Sequence, residues 1–197
     1  MDHTNVQAKV ALRKHFLTFI TQPHILECFA GEDRILFNAC YQGMDVTAMD
    51  TKQVKGVLKI DNRKFIASQD LSKYNFFDLD AYGSPYELLL NIFHKKQHGE
   101  PFVVVLTDGL LIPLIKANGS TFIQTIIKFK TKNKIPGLER HRMFIIKLIL
   151  KTLSEKYNIL IQGVKLIQSH GVTNTLYLGM LCKPKIPQNS QITAINA

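Results

Sequence analysis

Four acids stand where apolar runs of this chain end. Glu27 closes His24-Ile25-Leu26, Asp50 closes Asp45-Val46-Thr47-Ala48-Met49, Asp70 follows Phe65-Ile66-Ala67-Ser68, and Asp80 closes Tyr74 to Leu79. Beyond the last of them lie Ala81, Tyr82 and Gly83, and beyond the first lie Phe29, Ala30 and Gly31. Open α/β sheets bind ligands outside the carboxyl ends of their strands. Acids, a ring and glycines repeated at such ends suit a nucleoside. An acid ending the second strand can accept both ribose hydroxyls, as in dinucleotide folds. A pyrophosphate fits poorly, because Glu32 and Asp33 at the following helix start would repel it, and no GxxxxGK stretch is present. S-adenosylmethionine is a nucleoside carrying a cation and an amino acid, and it fits these acids better than NAD, FAD or ATP.

The elements that must hold these residues follow from the pattern. Val6 to Ile20 reads as an amphipathic helix, with Val10, Leu12, Phe16, Leu17 and Ile20 inward and Lys9, Arg13 and Lys14 toward water. Strands are expected at His24–Phe29, Asp45–Asp50, Phe65–Ser68, Tyr74–Asp80 and Phe102–Leu106. Helices are expected near Glu32–Tyr41, Lys52–Leu58 and Thr121–Lys128, and over Glu139–Tyr157 with Phe144, Ile145, Leu148, Ile149 and Thr152 as its core stripe. After Asp80, Ser84-Pro85-Tyr86-Glu87 opens a helix to about Gln97, with Ser84 as N-cap, Pro85 at the first helical position and Glu87 completing a capping box. Two strands, Ile159–Ile167 and Val172–Leu181, meet at His170-Gly171. Buried strands alternating with helices predict a mostly parallel seven-stranded sheet with helices on both faces; the closing pair adds one antiparallel strand. Residues 1–183 are expected to form one domain with an N-terminal helix, and 184–197 a loose tail.

On these residues the chain resembles a known family. Glu27-Cys28-Phe29-Ala30-Gly31 looks like the first motif of Rossmann-like class I methyltransferases, which use S-adenosylmethionine. Asp78-Leu79-Asp80-Ala81-Tyr82-Gly83-Ser84-Pro85 is similar to the Asp-Leu-Asp-Pro-Phe/Tyr-Gly-Ser-Pro motif of tRNA (guanine-N2)-dimethyltransferases. Thr107-Asp108 resembles their Thr-Asp, and Glu139-Arg140-His141-Arg142 is a looser match. The likeness spans about Ile25 to Leu181. It does not extend to that family's C-terminal substrate-binding domain. It implies that Glu27, Phe29 and Gly31 border the methionine end of the cofactor, that Asp50 binds ribose, and that Asp70 reaches the adenine amino group. It further implies that Asp80, with the Ala81 carbonyl, faces both the cofactor and the amine to be methylated, and that Tyr82 stacks on the target base. Two positions depart from the pattern. Asp33 replaces the second glycine of the first motif, and Ala81 replaces the proline of the fourth, which keeps the carbonyl and loses the fixed φ.

Composition agrees with a nucleic-acid partner. The chain has 197 residues, a net charge of +10, 46% hydrophobic and 20% charged residues. Such a basic globular chain suggests a polyanion, nucleic acid first and a membrane surface second; the family resemblance puts RNA ahead of DNA. Lys128, Lys130, Lys132, Lys134, Arg140 and Arg142 form its densest basic stretch and are the candidate phosphate contacts. Three cysteines without a CxxC pair argue against a disulfide framework or zinc ribbon; Cys28 belongs to an apolar run. His94 and His98 are read as a solvent-facing pair, so no metal is expected. The first residues lack an apolar signal core and no stretch could span a bilayer, so a cytoplasmic location is expected.

Overall fold

The computed structural model describes residues 5–81, 84–109, 138–168 and 175–185. Its sheet has seven strands in the order β3-β2-β1-β4-β5-β7-β6. They are β1 His24–Glu27, β2 Asp45–Asp50, β3 Leu58–Lys59, β4 Phe76–Leu79, β5 Phe102–Asp108, β6 Ile159–Gln168 and β7 Leu176–Pro184. Strands β1 to β5 pair in parallel. β7 runs antiparallel to both β5 and β6, as the closing pair predicts.

The central strands are mostly apolar because both of their faces are covered, with Glu27, Asp78 and Asp108 the buried acids toward their carboxyl ends. Leu26, Phe77, Val104 and Met180 pack toward one core. Their neighbours Ile25, Phe76, Val103 and Tyr177 pack toward the other. The alternation of side chains along a strand serves both. The first core is closed by α2 (Asn62–Ser68), α3 (Tyr86–Lys96) and α4 (Arg142–Lys156). The second is closed by α1 (Val6–Leu17) and a π-helical turn, Phe37–Tyr41.

Several expectations are corrected. Phe65 to Ser68 lies in α2, not in a strand. Asp61 caps that helix by accepting from the N–H groups of Arg63 (2.8 Å) and Lys64 (3.1 Å). The third strand is the two-residue β3, which begins at the last residue of the stretch read as a short helix. The helix after Gly31 is reduced to Ile35, Leu36 and the π-helical turn. In α4 the buried stripe is Ile145, Ile146, Ile149, Leu150 and Leu153, while Phe144 is 66% exposed. Contacts with β6 and the η turn Leu138–His141 set that rotation. α3 starts at Tyr86 with Pro85 at its N-cap and no side-chain cap; Glu87 instead pairs with Arg63 (3.3 Å).

The largest correction concerns α1. Lys9 and Arg13 do not face water; they are 3% and 1% exposed. With Leu12 and Phe16 they occupy positions i, i+3, i+4 and i+7, one face of a helix. Phe16 lies so close to Gly179 of β7 that a Cβ there would sit 2.1 Å from its ring. Only glycine lets the helix approach the sheet this closely. Tyr82, Lys128, Lys130, Lys132 and Lys134, the helix near Thr121–Lys128, the His170-Gly171 turn and residues 186–197 lie outside the described residues.

Candidate active site

The carboxyl ends of β1, β2, β4 and β5 form one edge of the sheet. β1 leaves the sheet there in two steps. Cys28 N–H still bonds the Asp78 carbonyl of β4 (2.9 Å), and Ala30 N–H bonds the Met49 carbonyl of β2 (3.1 Å). Phe29 rests on the core between these anchors. Gly31 follows at φ 65°, a backbone region that favours glycine, and its N–H donates to Asp50 Oδ2 (3.1 Å). The other Asp50 oxygen accepts from Lys52 N–H (2.9 Å) and the Thr51 hydroxyl (3.4 Å). Among the described residues, the hydrogen-bond donors to Asp50 are two backbone N–H groups and a hydroxyl.

Glu27 ends β1 beneath this loop. Its Oε2 accepts from Arg34 (3.1 Å), and its Oε1 is buried with no partner. Burial, then the nearby Asp78 charge, raise its carboxyl to about 7, against the pull of Arg34. Arg34 takes a left-handed backbone, φ 48°, and lies 4.3 Å over the Phe37 ring. Asp33 and Glu32 are exposed, and Glu32 is engaged by Lys52 (2.7 Å).

The β4 end is different. Asp78 accepts a bidentate pair from Arg13 (2.7 and 2.6 Å) and the Tyr41 hydroxyl (2.7 Å), all buried. Two residues on, Asp80 has both oxygens 2.9 Å from Lys9 Nζ, accepts the Thr107 hydroxyl at Oδ1, and lies 3.8 Å from Arg13. Burial opposes its ionisation, but Arg13, Lys9 and Thr107 together hold it below the usual carboxylate range. Ala81 follows, buried. On β5, Asp108 is fully buried and accepts from the Tyr86 hydroxyl (3.2 Å) and Arg142 (3.0 Å). Arg142 also reaches the Asp108 carbonyl, so it is anchored in the edge while Arg140 is exposed.

Glu27, Phe29, Gly31, Asp50, Asp80 and Ala81 thus come to one edge. Asp70 does not. Its Oδ1 and Oδ2 accept from Ser72 N–H and hydroxyl (2.9 and 2.7 Å). Lys96 at the far end of α3 bonds the Ser72 carbonyl and stands over Phe102, where β5 begins. That places Asp70 at the amino ends of the strands. The acid that follows β3 is Asp61, whose neighbour Ile60 donates to the Asp50 carbonyl (2.9 Å). Next to it, Asn62 is buried with its Oδ1 unpartnered. Sequence reasoning missed Asp61 and Asn62 because β3 is too short to show a pattern. It missed Lys9 and Arg13 because charge was read as exposure. Among the described residues, no His, Cys, Asp and Glu group could hold a metal.

By sequence, no family model and no curated protein matches the chain. By structure it is similar to Trm1 from Pyrococcus horikoshii in complex with S-adenosyl-L-methionine, with a TM-score of 0.56 at 14% identity over 90% of this chain and 54% of that one. It is also similar to M. jannaschii TYW2 in complex with AdoMet, with a TM-score of 0.52 at 9% identity over 94% of this chain and 78% of that one. The chain has the class I methyltransferase fold. A third structure of this fold is Burkholderia thailandensis 1,6-didemethyltoxoflavin-N1-methyltransferase with 1,6-didemethyltoxoflavin and S-adenosylhomocysteine bound, with a TM-score of 0.51 at 12% identity over 94% of this chain and 80% of that one. This chain spans about half of the Trm1 chain.

Proposed function

We propose that the chain is an S-adenosylmethionine-dependent N-methyltransferase acting on an exocyclic base amine in nucleic acid, RNA ahead of DNA, with guanine N2 the first candidate. One observation carries the reading. Glu27, Gly31, Asp50 and Asp80 share one edge, and two buried acceptors there have no donor: Oε1 of Glu27 itself and Oδ1 of the neighbouring Asn62.

The donor set fits the cofactor. Glu27 Oε1 is suited to an ammonium, Asp50 to a ribose diol and Asn62 Oδ1 to an adenine amino group, while Gly31 at φ 65° makes the turn between them. When bound, S-adenosylmethionine supplies an electrophilic methyl group. The chain's own residues must then hold the amine. A base amine is a poor nucleophile because its lone pair is delocalised into the ring. Hydrogen bonds to a carboxylate and a carbonyl can hold it pyramidal and aimed. A carboxylate offers about four acceptor positions. Among the described residues, Lys9 takes one on each oxygen of Asp80 and Thr107 a second on Oδ1, which leaves one on Oδ2 for the amine. The Ala81 carbonyl offers the second acceptor. Asp80 stays ionised and favours the positive charge developing on nitrogen. Tyr82 remains the proposed stacking residue and the lysines from Lys128 to Lys134, with exposed Arg140, the proposed phosphate contacts. The cytoplasm is the proposed location. Among the described residues, no helix is long and apolar enough to cross a membrane.

The test is incubation with labelled cofactor and total RNA or DNA, followed by nucleoside mass spectrometry. N2-methylguanosine is expected. Asp80→Asn, which keeps a contact for Lys9, is expected to lower transfer about a hundredfold and to spare cofactor binding; undiminished transfer would remove Asp80 from the reaction. A second reading is a non-catalytic module binding nucleic acid or a partner protein on the same fold. Its specific support is the engagement of Asp80 by Lys9 and of Glu27 by Arg34. Absence of calorimetric binding at millimolar cofactor favours it.

A further inference from the structure

We propose that Lys9 is itself a methyl acceptor: the site methylates the amine of its own first helix. The inference rests on the methyltransferase reading above and concerns a residue which that reading leaves outside the reaction. An amine substrate must be brought to the carboxylate that ends β4. Lys9 Nζ is already there, 2.9 Å from both oxygens of Asp80.

The placement is built, not incidental. Lys9 is 3% exposed, and its helix cannot easily withdraw it. Four residues on, Arg13 is locked to Asp78 by two buried hydrogen bonds. One turn further, Phe16 is wedged against Gly179. Thr107 fixes the carboxylate from the β5 side. An amine held this way has surrendered most of its freedom before any reaction, which is the condition for large effective concentrations. The other described lysine–carboxylate pairs, Lys52–Glu32 and Lys151–Glu155, lie on the surface with both partners more than half exposed. Lys96 is buried, but it bonds a carbonyl at the opposite edge of the sheet. Only Lys9 combines burial, a carboxylate and the carboxyl edge among them.

The step balances. Nζ gives up one proton to solvent water, while Asp80 stays ionised beside it. Its freed lone pair then takes the methyl group, the electron pair of the S–CH3 bond returns to sulfur, and S-adenosylhomocysteine leaves. No oxidant, metal or further reactant is needed. A monomethylated Lys9 still carries a charge and two N–H donors, so the contact with Asp80 survives the reaction.

The experiment uses the full chain and labelled S-adenosylmethionine, without nucleic acid. After digestion, peptide mass spectrometry should find one methyl group on Lys9 and none on Lys52 or Lys96. Lys9→Arg should remove the label. A second readout needs no turnover. If Nζ faces the methyl group, its charge opposes the sulfonium of S-adenosylmethionine and not the neutral sulfur of S-adenosylhomocysteine. Lys9→Met should therefore shift the ratio of the two affinities, read by calorimetry, toward S-adenosylmethionine by about threefold or more. Cofactor binding with Lys9 unmethylated and the ratio unchanged would overturn the inference and leave the methyltransferase reading standing. Failure to bind either cofactor form would overturn both.

Discussion

On the β1–β2 half of the carboxyl edge, Asp50 meets backbone N–H groups and a hydroxyl, and Glu27 keeps one oxygen unpartnered. On the β4–β5 half each acid has a cation of its own: Arg13 on Asp78, Lys9 on Asp80, Arg142 on Asp108. The first half has acceptors to offer a ligand. The second half has spent most of its acceptors on internal partners. Two segments distant in sequence, α1 and the start of α4, supply those partners. Ligand binding should therefore be sensitive to the first half and stability to the second.

Arg13→Ala should break this contrast most strongly. It would leave Asp78 buried with only the Tyr41 hydroxyl, and losing one partner of a buried pair costs about 3–5 kcal/mol. Urea denaturation reads the loss; a change below about 1 kcal/mol would mean that Asp78 finds water or another partner.

Glu27 gives the next effect. Its folded value of about 7 exceeds the ordinary 4.5, so folding takes up a proton between these limits. Its contribution is fully present below 4.5 and is lost as pH rises through about 7. Stability should fall across that window by at most about 1.4 kcal/mol per pH unit. Glu27→Gln should flatten the slope, which thermal melts at several pH values would show.

Asp50→Ala should weaken S-adenosylmethionine binding about tenfold or more, for the loss of hydrogen bonds to a charged group. Its thermal midpoint without ligand should move little by comparison. Unchanged affinity would mean that the two halves do not divide the work in this way. Arg63→Ala should do least. Arg63 and Glu87 are 69% and 46% exposed, and such pairs contribute between nothing and about 1 kcal/mol. A larger loss would show that the Arg63–Glu87 pair supports the start of α3.

Much of this was legible where apolar runs are long. Phe102 to Leu106 and Tyr74 to Leu79 could hardly be anything but buried strands, and the acids and glycine turn at the strand ends followed from them. What escaped had weak or ambiguous pattern. Leu58–Lys59 pairs at only two positions with β2, so no alternation announces it. Phe65 to Ser68 is apolar enough for a strand. Asp61, with N–H donors at Arg63 and Lys64, was the signal that a helix begins there. Displacing the third strand moved its terminal acid from Asp70 to Asp61. Lys9 and Arg13 share the helical face of Leu12 and Phe16, a spacing visible in the sequence. Reading it as a buried face required knowing that Asp78 and Asp80 would lie opposite.

The close fit of Phe16 on Gly179 also bears on how the chain is made. α1 leaves the ribosome well before β7, the strand it rests on. At ordinary elongation speeds the helix waits roughly ten to thirty seconds for its seat. Until β4 emerges Lys9 and Arg13 have no Asp78 and Asp80 to pair with, and they keep the stripe of Leu12 and Phe16 from being a purely greasy surface. The same two charges that later complete the site serve during synthesis as a guard against premature association.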